Sequence, residues 1–146
     1  MPGSKTKGRV LALDLGKRRV GSAVSDELGI TAQGLECFEI RGRQDLLAKI
    51  KDYQSRFPIT AIVLGKPSHL DGSPTDLSRT VDETKDFLER SLGIPVHLYD
   101  ERFTSKIAQQ SLHQSGIKLK NNKQLLDKTA AIIILTDYLK NHASSQ

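Results

Sequence analysis

Residues 9–25, RVLALDLGKRRVGSAVS, decide the fold of this chain. Val10–Leu13 is a short apolar run that ends at Asp14–Gly16, which is the pattern of a strand followed by a turn. Val20–Ser25 follows after only three residues, close enough for a hairpin with the first strand. Leu35–Ile40 can make a third strand after turns at Gly29 and Gly34. Because only antiparallel neighbours tolerate such short connections, these strands are predicted to form an antiparallel meander.

Beyond the meander, apolar residues recur at helical spacing and alternate with two further strands. The predicted helices are Gln44–Phe57, residues 76–92, Ser105–Ser115 and Gln124–Lys140. The predicted strands are Ile59–Leu64 and Val96–Tyr99. Strands that alternate with helices should join the sheet in parallel through right-handed crossovers. The predicted fold class is therefore α/β, with a mixed five-stranded sheet (three antiparallel strands, then two parallel strands) flanked by helices.

One domain is predicted, at residues 9–141, between a flexible basic tail at residues 1–8 and a C-terminal tail at residues 142–146. In the first helix, we expect the buried face to carry Leu47, Ile50 and either Tyr53 or Phe57. Residues 76–92 place Leu77, Val81, Thr84, Leu88 and Leu92 on one side.

The composition excludes several classes of protein. The chain has 146 residues, of which 37% are hydrophobic, so it is too apolar for a disordered chain. Its longest apolar run, Ala130–Leu135, is far shorter than the ~20 residues that cross a bilayer. The polar N-terminus is not that of a signal peptide, and the single cysteine, Cys37, cannot form an internal disulfide or a zinc cluster. We therefore expect a cytoplasmic protein with no membrane partner.

The charge is unevenly distributed along the chain. Lys and Arg number 22 against 17 Asp and Glu, which gives a net charge of +5. Residues 1–43 carry +3, residues 44–101 carry −3 and residues 102–146 carry +5. Such segregation is typical of a face that contacts phosphates, although an unevenly charged solvated surface explains it equally well.

Carboxylates follow two of the predicted strands directly. Asp14 ends the first strand, and Asp100 and Glu101 end the last one. Open α/β sheets bind ligands at the carboxyl ends of their strands. If these two strands are neighbours, their carboxylates converge within a few ångströms and repel unless a cation lies between them. Each acid taken alone also fits a turn or a helix cap.

Asp127 lies at an unexpected position in the last helix. It shares a helical face with Ala130, Ala131, Ile134 and Tyr138, which should pack against the sheet. A favourable place near the helix N-terminus is the alternative explanation. A buried carboxylate needs a partner, and a divalent metal shared with Asp14 and Glu101 would satisfy all three acids. Hard oxygen ligands suit magnesium or manganese and not zinc, and the four scattered histidines lack metal-ligand spacing.

Four motifs resemble the YqgF (RuvX) family, a group similar to Holliday junction resolvases and also described as pre-16S rRNA nucleases. In order, the motifs are Leu13–Gly21 with Ala23–Asp26, Gly65–Pro67 with Asp71–Ser73, Asp100–Ser105, and Asp127–Ala131. They cover about residues 9–140. The chain departs from the family pattern at Gln33-Gly34, where a proline is common, and at Ser68-His69 in the central loop.

The resemblance implies an RNase H-like fold and a hydrolase that cleaves phosphodiester bonds of structured nucleic acid, with 5′-end processing of precursor 16S rRNA in ribosome biogenesis as its role. It implies that Asp14, Glu101 and Asp127 are the catalytic, metal-binding acids, with Asp100 and Asp26 in supporting roles. The implied cofactors are Mg²⁺ or Mn²⁺, as two ions.

Basic residues near these acids are candidates for nucleic-acid binding. They are Lys17, Arg18, Arg19 and Arg102, which flank the acids in sequence, and Lys118, Lys120 and Lys123, which precede the last helix. For the three lysines, a solubilising loop is an equally good explanation. Exposed aromatic residues for base stacking are few.

Three other functions remain open from the sequence. The chain could resolve branched DNA, as a Holliday junction resolvase does, in which case a homodimer is expected. It could instead be a non-catalytic nucleic-acid-binding factor that acts with the ribosomal or transcription machinery. Asp14-Leu15-Gly16 also occurs at phosphate sites of actin-like ATPases, which need two such domains, whereas 146 residues supply one. The sequence leaves open RNA against DNA, endo- against exonuclease, and monomer against homodimer.

Overall fold

In the computed structural model of the chain, residues 8–16, 18–66, 76–100 and 123–143 are described. These residues form five strands in one sheet, in the order β3-β2-β1-β4-β5. The strands are β1 (Arg9–Leu15), β2 (Arg19–Ser25), β3 (Ala32–Glu39), β4 (Ile59–Lys66) and β5 (Val96–Asp100). The helices are α1 (Arg43–Arg56), α2 (Asp76–Leu92) and α3 (Lys123–Ala143). The predicted α/β class and mixed five-stranded sheet are confirmed.

β1 lies at the centre of the sheet and pairs differently on its two sides. It is antiparallel to β2, where Leu13 faces Ser22, and parallel to β4, where Leu13 faces Leu64. β3 is antiparallel to β2, and β5 is parallel to β4. As a result β1, β3, β4 and β5 all end at the same side of the sheet, which we call the carboxyl edge.

The elements differ from the sequence prediction mainly at their ends. β1 continues to Leu15 through its ladder with β2, and β4 continues to Lys66 through its ladder with β5, both beyond the apolar runs. α3 continues to Ala143, two residues into the predicted C-terminal tail. The predicted helix Ser105–Ser115 and residues 1–7 of the predicted basic tail lie outside the described residues.

The helices cover the two faces of the sheet separately. On the α1/α2 face, Leu11 and Leu13 of β1 pack in one core cluster with Ile50 of α1 and Val81 and Leu88 of α2. On the α3 face, a second cluster brings α3 against small strand residues. Its buried members include Ala12, Ala23, Val63, Ala131, Ile134 and Leu135. The acidic middle of the chain therefore covers one face, and the last, basic third contributes the helix on the other.

The buried face of α1 differs from the prediction at its first position, whereas Ile50 and Tyr53 are buried as predicted. Leu46, Ile50 and Tyr53 are its buried residues, whereas Leu47 is only partly buried. Positions 46, 50 and 53 have the i, i+4, i+7 spacing of a single helical face, and the expected choice of Leu47 was wrong. The distinction depends on how the helix rotates against the sheet, which periodicity alone does not determine.

A buried polar contact joins α1 to the centre of the sheet. Ser22 and Tyr53 have no solvent exposure, and their side-chain oxygens lie 3.0 Å apart. Ser22 Oγ donates its hydrogen to the Glu36 carbonyl at 2.5 Å, so the Tyr53 hydroxyl is the donor to Ser22. Burial raises the pKa of Tyr53 above its ordinary 10.0, which keeps the hydroxyl protonated at neutral pH.

We expect Tyr53→Phe to lower the free energy of unfolding by about 1 kcal/mol, because Ser22 loses its buried donor while the ring stays packed. Urea denaturation at pH 7 measures this loss. A double-mutant cycle with Ser22→Ala isolates the contact, since its coupling energy should account for most of the loss. Equal stability of Tyr53→Phe and the wild type would exclude a stabilising hydrogen bond.

A second expectation concerns how the stability of the fold changes at acidic pH. Glu36 Oε1 accepts a hydrogen bond from Lys49 Nζ at 2.9 Å, and this bond lowers the pKa of the Glu36 carboxyl below its ordinary 4.5. A carboxyl with a depressed folded-state pKa stabilises the fold above its unfolded-state pKa, and this stabilisation is lost as the pH falls through the folded-state value.

Glu36→Gln should therefore be less stable than the wild type at pH 7, and the difference should vanish well below pH 4.5. Because the Glu36 side chain is 55% exposed, solvent screening keeps the difference below about 1 kcal/mol. Urea titrations at several pH values test this expectation. A difference that stays constant with pH would show that the charge of Glu36 is not its cause.

Candidate active site at the carboxyl edge of the sheet

Asp14 is the last but one residue of β1, at the carboxyl edge. Its neighbours in the chain, Leu13 and Leu15, are buried on the α1/α2 face. Because side chains alternate along a strand, Asp14 is on the opposite, α3 face, as is Ala12. It is partly buried. The central strand of the sheet therefore holds this carboxylate on a rigid backbone at the rim of the α3 face.

Two glycines flank Asp14 on the neighbouring strands. Gly21 of β2 and Gly65 of β4 are its register partners. Residues that are level in a sheet present their side chains on the same face, so neither neighbouring strand places a side chain directly beside this carboxylate. Sequence reasoning missed these two residues as part of the site. The signal was available, because a glycine inside an apolar strand often marks the close approach of a ligand or of another backbone.

Tyr99 of β5 is the next residue across the sheet, level with Gly65. It packs with the α3 cluster, on the same face as Asp14, and its hydroxyl donates a hydrogen bond to the Asp137 carboxylate of α3. Nearby, the rings of His97 and Tyr138 pack against each other with centroids 5.6 Å apart. β5 and α3 are therefore joined on the face of the sheet that carries Asp14.

The first and last strands are not neighbours, so the condition under which their carboxylates would converge is not met: β4 lies between β1 and β5. Two interstrand spacings separate their backbones by about 9–10 Å. Asp100 is level with Lys66 of β4, on the α1/α2 face, where Lys66 Nζ lies 2.9 Å from Asp82 Oδ1. Asp14 and Asp100 thus face opposite sides of the sheet. Glu101 lies outside the described residues.

Asp127 is a backbone position of α3, and its side chain lies outside the described residues. It precedes Ala131 by four residues and Ile134 by seven, and both of these are fully buried against the sheet. At the other end of the helix, Leu139 lies close to Gly29, in the turn after β2. The β2–β3 turn lies at the edge of the sheet opposite to the carboxyl edge. From Leu139 to Asp127 the helix spans about 18 Å, in the direction away from that turn.

The described residues contain no group of three His, Cys, Asp or Glu side chains that could hold a metal ion. Of the three acids expected to bind metal, Asp14 is the one whose side chain is described. The donor chemistry of this side chain fits a hard divalent cation, since a carboxylate offers the oxygen ligands that such a cation prefers.

Asp26 lies far from Asp14. Its Oδ1 accepts the backbone N–H groups of Ile30 at 2.7 Å and Thr31 at 3.1 Å, and these bonds lower the pKa of the exposed Asp26 carboxyl. It is five residues along the chain from Gly21, the partner of Asp14, which corresponds to about 16 Å. The described geometry gives Asp26 a role in the β2–β3 turn and does not bring it to the carboxyl edge.

Two of the expected basic contacts lie beside Asp14. The turn from β1 to β2 closes when Gly16 N–H donates to the Arg19 carbonyl at 2.7 Å. Arg18 is exposed, and Arg19, two residues before Gly21, shares the α3 face with Asp14. Neither arginine forms an ion pair with another described residue.

The other proposed basic residues lack described side chains. Lys17, Arg102, Lys118 and Lys120 lie outside the described residues, and Lys123 is described only as the first backbone position of α3. Several described basic residues on the α1/α2 side are already paired with carboxylates, namely Arg43, Lys49, Arg56, Lys66 and Lys85. Within the described ranges, no helix is long and apolar enough to cross a membrane.

The structural neighbours are resolvases. RuvC of T. thermophilus in complex with a Holliday junction substrate superposes with a TM-score of 0.59 at 16% identity, covering 94% of this chain and 97% of RuvC. The fowlpox virus Holliday junction resolvase has a TM-score of 0.59 at 12% identity, covering 91% of this chain and 99% of that protein. At these identities the likeness shows the fold, and the expected RNase H-like fold is confirmed.

Sequence relatives are closer. A protein of Koribacter versatilis is 39% identical over 94% of this chain and 90% of its own length, and one of Dictyoglomus thermophilum is 41% identical over 90% and 94%. Both carry the name "Putative pre-16S rRNA nuclease". The family model described as "RuvX: Holliday junction resolvase" matches residues 8–141. The chain therefore belongs to the RuvX family.

Proposed function

We propose that this chain is a divalent-metal-dependent nuclease that processes the 5′ end of precursor 16S rRNA in the cytoplasm. The relatives' names and the resolvase fold support a nuclease, that is, a hydrolase acting on nucleic-acid ester bonds. The observation that carries the proposal is the place of Asp14, which is fixed on the central strand between Gly21 and Gly65 at the carboxyl edge.

Two other acids complete the proposed site. Glu101 is the residue that follows β5, and Asp127 belongs to the helix that packs on the face of Asp14. Asp127 precedes the buried stripe of α3 that packs on that face. In this proposal Asp14, Glu101 and Asp127 hold Mg²⁺ or Mn²⁺, whose hard character matches three carboxylates.

In the proposed site, different residues hold the metal ions and bind the phosphates. When bound, the metal ions supply positive charge that stabilises the negative charge developing on the phosphate. The carboxylates fix the position of that charge, and Gly21 and Gly65 place no side chain of β2 or β4 level with Asp14. Arg18 and Arg19 attract neighbouring phosphates, because no described carboxylate neutralises them. Lys17 and Arg102 are proposed as further contacts near the scissile bond, and Lys118, Lys120 and Lys123 as contacts further along the backbone.

We expect Asp14→Asn to reduce cleavage by more than about 100-fold, since even residues that only orient a metal ligand contribute 10–100-fold. The measurement is cleavage of a 5′-extended precursor 16S rRNA fragment with manganese, and the wild type should lose activity in EDTA and regain it when manganese is restored. The matched control is Asp86→Asn, an exposed acid of α2 on the other face of the sheet.

Asp86→Asn should cleave like the wild type, and both variants should melt within a few degrees of it. Cleavage by Asp14→Asn at the wild-type rate would refute the assignment of the site. If the wild type binds RNA but cleaves it with neither magnesium nor manganese, the protein is a non-catalytic binding factor, and the proposed nuclease activity is wrong.

A second substrate is supported by the description of the family itself, which names a Holliday junction resolvase. A four-way DNA junction should therefore be assayed beside the precursor rRNA, with the same two variants. A resolvase must cut two strands of one junction, so faster cleavage of the junction should coincide with a homodimer in light scattering. Faster cleavage of the rRNA fragment favours the primary proposal, which a monomer can also perform.

A further inference from the structure

A groove lies at the carboxyl edge; Asp14 does not line it, but Leu15 and Gly16, the two residues that follow Asp14, do. One part is a cavity of about 680 Å³ lined by Arg18, Glu39, Ile40, Arg41 and Asp45. A second cavity of about 380 Å³ adjoins it, with Leu15 and Gly16 on one side and Leu77 and Thr80 of α2 on the other. Ile40 and Arg41 line both cavities. We call the two cavities together the edge groove.

The topology fixes the position of this groove. β3 runs parallel to β1, so the segment from β3 to α1 lies at the same edge as Asp14. The N–H of Ile40 donates to the Arg18 carbonyl at 2.8 Å, which ties this segment to the β1–β2 turn. Arg41 therefore lies beside Gly16, only two residues after Asp14.

The charges in the groove are available to a ligand. Arg18 and Arg41 are exposed, and neither forms an ion pair with another described residue. The Asp45 carboxylate accepts the backbone N–H of Arg41 at 2.8 Å, so it is engaged in the turn before α1. Arg43 differs, because its guanidinium is paired with Glu83 at 2.9 Å.

We infer that the edge groove binds the phosphodiester backbone of the nucleic-acid strand that passes Asp14, with Arg41 and Arg18 as its phosphate contacts. The inference rests on the proposed function, and it adds a binding surface and a residue, Arg41, beyond the basic residues expected from sequence. A guanidinium binds a phosphate through two parallel hydrogen bonds, which suits a strand that must be held in one orientation.

The other residues that line the edge groove indicate that its contact with the strand does not depend on the base sequence. The described lining of both cavities includes aliphatic Leu15, Ile40 and Leu77 but no aromatic ring on which a base could stack. Contacts to phosphates position a strand and carry no sequence information directly. Binding in the groove should therefore change little when the bases of the strand are exchanged.

Substitution of Glu39 tests the same surface in the opposite direction, because it removes a negative charge. It is the register partner of Arg19 and lines the larger cavity. A carboxylate there repels a phosphate, so Glu39→Gln should tighten binding if the groove carries the backbone. A purely structural role of the segment does not predict this gain.

The experiment measures binding of a fluorescently labelled RNA hairpin with a single-stranded 5′ extension, by anisotropy in EDTA over a range of salt concentrations. Arg41→Ala should raise Kd about 5–10-fold near 0.1 M salt, because one lost phosphate contact reduces the slope of log K against log salt by about 0.7–0.9. The matched control is Arg90→Ala, which removes an exposed guanidinium at the end of α2, at the opposite edge of the sheet.

Arg90→Ala should leave Kd and the slope unchanged, and Arg41→Gln should repeat the effect of Arg41→Ala. Melting temperatures show whether each variant is folded. If both Arg41 variants bind the RNA with wild-type affinity, the proposed binding role of the edge groove is wrong. Loss of cleavage in Asp14→Asn would in that case still support the proposed nuclease activity. Weakened binding by both Arg41 variants supports the groove, even if Asp14→Asn cleaves normally and the catalytic assignment fails. A wild type that does not bind the RNA overturns both proposals.

Discussion

The rest of the structure depends on the two different pairings of β1. A turn of three residues sets its antiparallel ladder with β2. Its parallel ladder with β4 is set by α1, which crosses the sheet from the end of β3 to the start of β4. Because of this combination, four strands end at one side of the sheet. The carboxylate of Asp14, the arginines of the β1–β2 turn and the start of α1 are brought to that edge by the strand order.

The same arrangement separates the charges of the molecule. The acidic middle of the chain forms α1 and α2 on one face, where its carboxylates pair with nearby lysines, as Asp82 does with Lys66 and Glu89 with Lys85. The basic residues at the carboxyl edge keep their charges unpaired among the described residues. The net charge of +5 therefore understates the difference in charge between the α1/α2 face and the carboxyl edge. Ion pairs cancel charge on that face, whereas the charges at the edge are left unpaired among the described residues.

Much of this could be predicted from sequence, because short connections and apolar runs leave few possible topologies. The order of the elements, the meander and the edge position of Asp14 follow from that reasoning. Strand neighbours could not be predicted in the same way. β4 inserts between β1 and β5, and only the pairing in the sheet reveals that Asp100 faces away from Asp14. The choice between Leu46 and Leu47 similarly depends on how α1 rotates in the packed core.

The glycines beside Asp14 have a consequence for how this family can change over time. Neither β2 nor β4 places a side chain level with the carboxylate, because Gly21 and Gly65 carry none on the α3 face. Every substitution at either position adds at least one carbon atom there. A side chain in the core can be exchanged for one of similar volume. At these two positions no exchange keeps the volume, so any exchange changes the immediate surroundings of the carboxylate.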